Sequence, residues 1–110
     1  MARKVVFYED RRGSPVAEYL AALGRAGEAS ALATFERRAD LLAEHGVALG
    51  LPYSRIIDRR HRLFELRFGD HRAAYCEHEG EIVLLNAWRK RGQQLDRRAA
   101  SRARRLQQSL

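Results

Sequence analysis

Apolar and polar positions change period several times along the chain. Lys4-Val5-Val6-Phe7-Tyr8 is a β-branched and aromatic run that stops at the charged stretch Glu9 to Arg12, which predicts a first strand. Ser14-Pro15 then reads as a helix start, with serine as the N-cap and proline at the first helical position. Val16, Tyr19, Leu20 and Leu23 follow at helical spacing, and Gly24 is expected to end this helix. A second helix is predicted over Glu28 to His45, with Leu32, Phe35, Ala39 and Leu42 on one stripe and Gly46 beyond its end. Val47 to Ser54, with Gly50 and Pro52, reads as a loop.

The period then drops to two. From His61 to Phe68, Phe64, Leu66 and Phe68 share one face while Leu63, Glu65 and Arg67 share the other. Gly69-Asp70 supplies a turn, and His71 to Glu77 alternates again, with Arg72, Ala74 and Cys76 opposite His71, Ala73 and Tyr75. After Glu79-Gly80, the run Glu81 to Ala87 is apolar on both faces, the pattern of a central strand covered on both sides. Leu95, Ala99, Ala103 and Leu106 return to helical spacing. The expected order is β-α-α-β-β-β-α. Short turns force the last three strands into an antiparallel meander. The expectation is an α+β fold with an antiparallel sheet of about four strands, helices on one face, and the other face free for a ligand.

Charge sharpens this picture. The 110 residues form one expected domain, 1–110, with 45% hydrophobic and 32% charged residues and a net charge of +7. Residues 1–54 and 55–81 are each neutral, so the whole excess lies in the last 29 residues: Arg89, Lys90, Arg91, Arg97, Arg98, Arg102, Arg104 and Arg105 against Asp96. A concentrated basic segment is what a polyanion-binding patch looks like in sequence, although an ordinary solvated helix face carries the same charges. The single cysteine, Cys76, can form no internal disulfide and offers no zinc spacing; it reads as a small buried hydrophobe. No stretch approaches the roughly 18 apolar residues of a membrane span, and the first ten residues carry no signal-peptide core. A cytoplasmic protein without metal or other cofactor is expected.

Three stretches carry a resemblance. Leu63-Phe64-Glu65-Leu66-Arg67, His71-Arg72-Ala73-Ala74-Tyr75 and the segment from Ile82 through Trp88-Arg89-Lys90-Arg91-Gly92-Gln93 are similar, in order and spacing, to motifs of the RelE/ParE superfamily of toxins. The likeness is to the phage-derived HigB-like branch, and the β-α-α-β-β-β-α order agrees with that fold. The resemblance implies the toxin of a type II toxin–antitoxin system, acting in the ribosome as a metal-independent endoribonuclease on mRNA. It also implies a neutralising antitoxin, often of the helix-turn-helix type. The positions that match the implied catalytic set are Arg67, Arg72 and Lys90, with Arg89 and Arg91 nearby. Among the residues themselves His71 is the candidate acid or base, and Arg89, Arg91, Gln93 and, from the basic terminal segment, Arg97, Arg98 and Arg102 are the candidate RNA contacts.

The chemistry suits these residue types. Attack by a 2′-hydroxyl needs in-line positioning, proton removal and stabilisation of added phosphorane charge. Arginine serves the last because its planar fork donates two hydrogen bonds to phosphate oxygens and stays charged. Arg67 could equally pair with Glu65 or Glu77, and Trp88 could stack a base or cover the core edge. No Tyr or His follows Trp88, where some relatives carry one. Besides His71, this leaves Tyr75, Tyr8 and Tyr53 as acid–base candidates. Two other readings stay open: a ParE-like, non-enzymatic gyrase inhibitor, and a basic nucleic-acid-binding phage accessory protein.

Overall fold

The elements follow the changes of period. The computed structural model describes residues 2–110. Strand β1 (Val5–Phe7) leads to helices α1 (Pro15–Arg25) and α2 (Ala29–His45), then to strands β2 (Ser54–Asp58), β3 (Leu63–Phe68), β4 (His71–His78) and β5 (Glu81–Arg89), and finally to helix α3 (Arg97–Gln108). Ser14 caps α1 as expected, its Oγ accepting from the Ala17 amide at 3.4 Å, with Pro15 in the first turn. Gly24 does not end that helix; it lies within it, where a Cβ would meet Leu32 of α2 at an ordinary contact distance of 3.7 Å. The α2 stop at Gly46 is required by its φ of +60°; a Cβ there would only displace the end of the flexible Arg3 side chain, 2.7 Å away.

The sheet has five strands in the order β1-β5-β4-β3-β2. Strands β2 to β5 are an antiparallel meander. The sheet is mixed because β1 pairs parallel with β5, Val5 opposite Ile82 and Phe7 opposite Leu84. Two helices separate β1 from the meander, and a crossover of that length permits the parallel return. The strand beyond the expected four is β2. Its β-branched pair Ile56-Ile57 is a strand signal, placed between a Gly- and Pro-containing loop and the charged run Arg59-Arg60-His61-Arg62.

Alternation sorts the core into two layers. Phe64, Leu66, Phe68, Ala73, Tyr75, Ile82 and Leu84 meet Val16 and Leu23 of α1 and Phe35 and Leu42 of α2. The other face carries Leu63, Ala74, Cys76, Val83 and Leu85, which pack on Ala103, with Leu106 beside it. The helices therefore do not share one face: α1 and α2 cover one, α3 the other. The reason is β5, whose Val83 and Leu85 point away from α1 and α2 and would otherwise lie in water, at about 25 cal/mol per Å² of apolar surface. Alanines on the inner stripe of α3 allow a close approach. Its N-terminus is capped by Asp96, which accepts from the Ala99 amide at 3.0 Å. At its other end Gln107 donates to the His61 carbonyl at 2.6 Å. Because α3 contacts chiefly β5 and β4, the part of this face toward β2 and β3 is left open.

Candidate functional site

The open part of the α3-side face is a cleft of about 100 Å³ lined by Arg55, Glu65, Arg67, Arg72, Trp88 and the loop from Lys90 to Asp96. Its geometry follows from register. Arg67 and Arg72 are directly opposed across the β3–β4 pair, Arg72 and Trp88 across β4–β5, and Arg55 and Glu65 across β2–β3. Directly opposed residues share a face and stand about 5 Å apart at Cβ, so these side chains converge without any long-range accident. Lys90 is fixed at the rim by its amide, which donates to the Asp70 carbonyl at 2.7 Å.

Glu65 organises the cations. Its side chain is only 2% exposed, and Oε1 lies 3.0 Å from Arg55 Nε, 3.6 Å from Arg72 Nε and 3.9 Å from Arg67 Nε. A buried carboxylate needs such company to stay charged. Arg72 is held further by Nη1, which donates to the carbonyls of Gly69 and His71, each at 2.9 Å. The ion pair engages Nε and the two hydrogen bonds Nη1, and neither uses Nη2; Arg72 lines the cleft. Burial draws the Arg72 pKa below its ordinary value, with Arg67 and Arg55 adding to the effect and Glu65 opposing it. Five cations line the cleft against the carboxylates of Glu65 and Asp96. A cleft with excess positive charge fits a phosphate better than a neutral ligand.

The structure thus brings together Arg67, Arg72, Lys90, Arg91 and Gln93 among the residues expected from sequence. It parts the others. His71 faces α1, 2% exposed; its Nδ1 is 2.6 Å from the Tyr19 hydroxyl and its Nε2 3.5 Å from Glu28 Oε1, and its ring stacks on Phe68. That is the opposite side of the sheet from Arg72, as alternation requires of adjacent residues, so His71 is a residue of the first core layer and not of the cleft. Burial lowers its pKa below 6.5, Arg89 lowers it further and Glu28 opposes both. Arg89 is also turned away, its Nη2 donating to Glu28 at 2.9 Å and 3.2 Å. Arg97, Arg98 and Arg102 line a second, wider groove beside α3.

The remaining acid–base candidates are occupied elsewhere. Tyr75 is fully buried and hydrogen-bonded to Ser54, Tyr8 donates to Asp10, and Tyr53 lies under the Arg38 guanidinium. Among the described residues no His or Tyr lines the cleft. Cys76 is buried as expected, and burial pushes its thiol pKa up to about 11. Two residues were not singled out from sequence as part of a site. Arg55 was hidden because β2 was not recognised. Glu65 was visible only as a partner for Arg67; its place on the Leu63–Arg67 face was the available signal.

Fold and cleft together define a small basic α+β protein with a cation-lined cleft at the end of a β meander. The profile of the family described as phage-derived protein Gp49-like (DUF891) matches residues 19–108. The chain belongs to this family, which is related to the toxins of toxin–antitoxin systems. The match runs from α1 to the end of α3 and so includes every residue of the cleft. No curated protein matches the chain significantly. Among the described residues, no helix is long and apolar enough to cross a membrane.

Proposed function

We propose that the chain is the toxin of a type II toxin–antitoxin pair and blocks translation by cleaving ribosome-bound mRNA, its cleft holding the RNA backbone at the scissile phosphate. The carrying observation is the convergence of Arg67, Arg72 and Lys90 around the buried Glu65 on the part of the sheet that α3 leaves open. In this reading Arg72 Nη2 and Arg67 take the non-bridging oxygens and stabilise the charge that develops on phosphorus. Lys90, Arg91 and Gln93 hold the flanking strand, and Trp88 at the cleft wall offers a face for a base. An antitoxin that neutralises the protein would have to cover this cleft or compete for it.

The test is primer extension of mRNA 5′ ends on programmed ribosomes, with growth arrest as the cellular readout. Arg72→Lys keeps the charge but removes the fork; it is expected to lower cleavage about 100-fold, the size of one lost charge-stabilising donor. Cleavage at the parent rate would place the scissile phosphate elsewhere. One observation favours a second reading, because a cleft without imidazole or phenol lacks the usual proton acceptors. Growth arrest with intact mRNA and inhibited supercoiling would give the lead to a gyrase-binding, non-enzymatic toxin.

A further inference from the structure

The second groove lies where β1 stops short of β5. The last backbone bond between them is from the Tyr8 amide to the Leu84 carbonyl, so residues 85–89 of β5 are paired with β4 alone. An unpaired stretch of this kind offers alternating N–H and C=O groups to another chain. Beside it runs a groove of about 980 Å³, whose other wall is α3 with Arg97, Arg98, Arg102 and Arg105. The carboxylate in this wall, Asp96, is already used as the α3 cap. A bulge between β4 and β5 places two β5 residues, Leu85 and Asn86, on the α3 side. Asn86 is 2% exposed and lines the groove; its Nδ2 donates to the Ala99 carbonyl at 3.1 Å, and its buried Oδ1 has no donor. A basic groove beside an unpaired strand edge calls for a ligand that carries both negative charge and backbone N–H donors.

We propose that this groove binds an extended acidic polypeptide segment of a partner protein, which adds to β5 along residues 85–89 as a further strand. Three features select a polypeptide over a nucleic acid. A strand edge presents hydrogen-bonding groups at the repeat of a peptide backbone, about 3.3 Å per residue, which a sugar–phosphate chain does not match. The unpaired stretch accepts about five residues of such a strand. Alternate side chains of the added strand would face α3, so acidic residues at every second position meet its arginines, while the intervening ones face away. The proposal does not depend on the RNA reading of the cleft, because Arg67, Arg72 and Lys90 do not line this groove.

The full chain, labelled for amide NMR, is titrated with an acetylated and amidated (Glu-Val)4 octapeptide, with (Lys-Val)4, and with an eight-nucleotide uridine RNA. The acidic peptide is expected to bind and to slow amide exchange of Ala87 and Arg89 at least tenfold, while the basic peptide does neither. N-methylation of its alternate amides should abolish binding in one register and spare it in the other, since only one set of N–H groups faces β5. Arg98→Glu with Arg102→Glu, on the exposed side of α3, should weaken it at least tenfold, with thermal melting as the folding control. Arg72→Lys should leave peptide binding unchanged whatever it does to mRNA. Absence of binding, equal tolerance of N-methylation in both registers, or protection of the same amides by the RNA in preference to the peptide would each overturn the proposal.

Discussion

Glu65 shows how much one side chain can decide. It is buried among three guanidiniums, two of which, on Arg55 and Arg67, keep about a third of their side-chain surface in water. Glu65→Leu would leave those cations crowded without a counter-charge. Breaking such a pair typically costs 3–5 kcal/mol, and the solvated partners point to the lower end, about 3 kcal/mol. Urea denaturation checks this, and a loss below about 1 kcal/mol would show that the carboxylate is not what holds the arginines. His71 gives a pH dependence of definite sign. Its pKa in the folded protein is held below the unfolded value near 6.5, chiefly by burial. Between the two values the unfolded chain binds the extra proton, so stability is full above about pH 6.5 and falls as pH drops through the folded value. The lowered Asp10 and Asp58 act separately, below about pH 3.8. His71→Phe should flatten melting temperature between pH 7 and 5 and leave RNA cleavage intact; a cleavage defect of 100-fold or more would restore His71 as the base.

At the scale of elements, α3 carries two duties that oppose each other. Its stripe of Ala99, Ala103 and Leu106 covers the second core layer, and its cap, Asp96, is also one of the carboxylates of the cleft. Asp96→Ala is expected to cost about 1 kcal/mol through loss of the cap. The same change removes negative charge from the cation-lined cleft and, on the proposed reading, should tighten RNA binding. Opposite signs in melting temperature and RNA affinity are the expected result; a joint decrease would mean that the loop from Lys90 to Asp96 collapses without its anchor. The helix was legible because small apolar residues recur at 3.6 spacing under an arginine surface. Strand β2 was not, because a five-residue strand whose Ile56-Ile57 pair stands between Arg55 and Asp58 carries too little periodicity to stand out.

For the whole molecule, charge by segment and charge in space tell different stories. The last 29 residues hold the entire net charge, yet Arg55, Arg67 and Arg72 of the cleft come from a segment that is neutral overall. Their counter-charges Asp58, Glu77, Glu79 and Glu81 are spent elsewhere, Glu77 on Arg3 and Glu81 on Lys4. With about five phosphates engaged on single-stranded RNA, log K is expected to fall with log salt at a slope near −3.5. Replacing Arg97, Arg98 and Arg102 with glutamine should leave that slope within about one unit, whereas Lys90→Gln with Arg91→Gln should reduce it by about 1.4. A slope that collapses on changing the α3 arginines would move the RNA onto the second groove.

The sequence by itself determined the α+β class, the order of elements, the caps at Ser14 and Gly46, and which residues of β3 and β4 share a face. All of these rest on local periodicity and capping chemistry, which involve residues a few positions apart. It also placed Arg67 and Arg72 in one patch, because a tight turn after Phe68 leaves little freedom of register. Tertiary structure decided what depends on distant partners. The parallel seat of β1 beside β5, the transfer of α3 to the second face, and the arrival of Arg55 beside Glu65 are such cases. So is the meeting of His71 and Arg89 with Glu28, although alternation along β4 already sets His71 on the face opposite Arg72. The physical reason is that a strand pattern states which residues go together but not which face a helix far along the chain will cover. That is settled by the apolar surface still unburied when the meander has formed, and the cleft is the charged end of the same sheet face, which α3 does not cover.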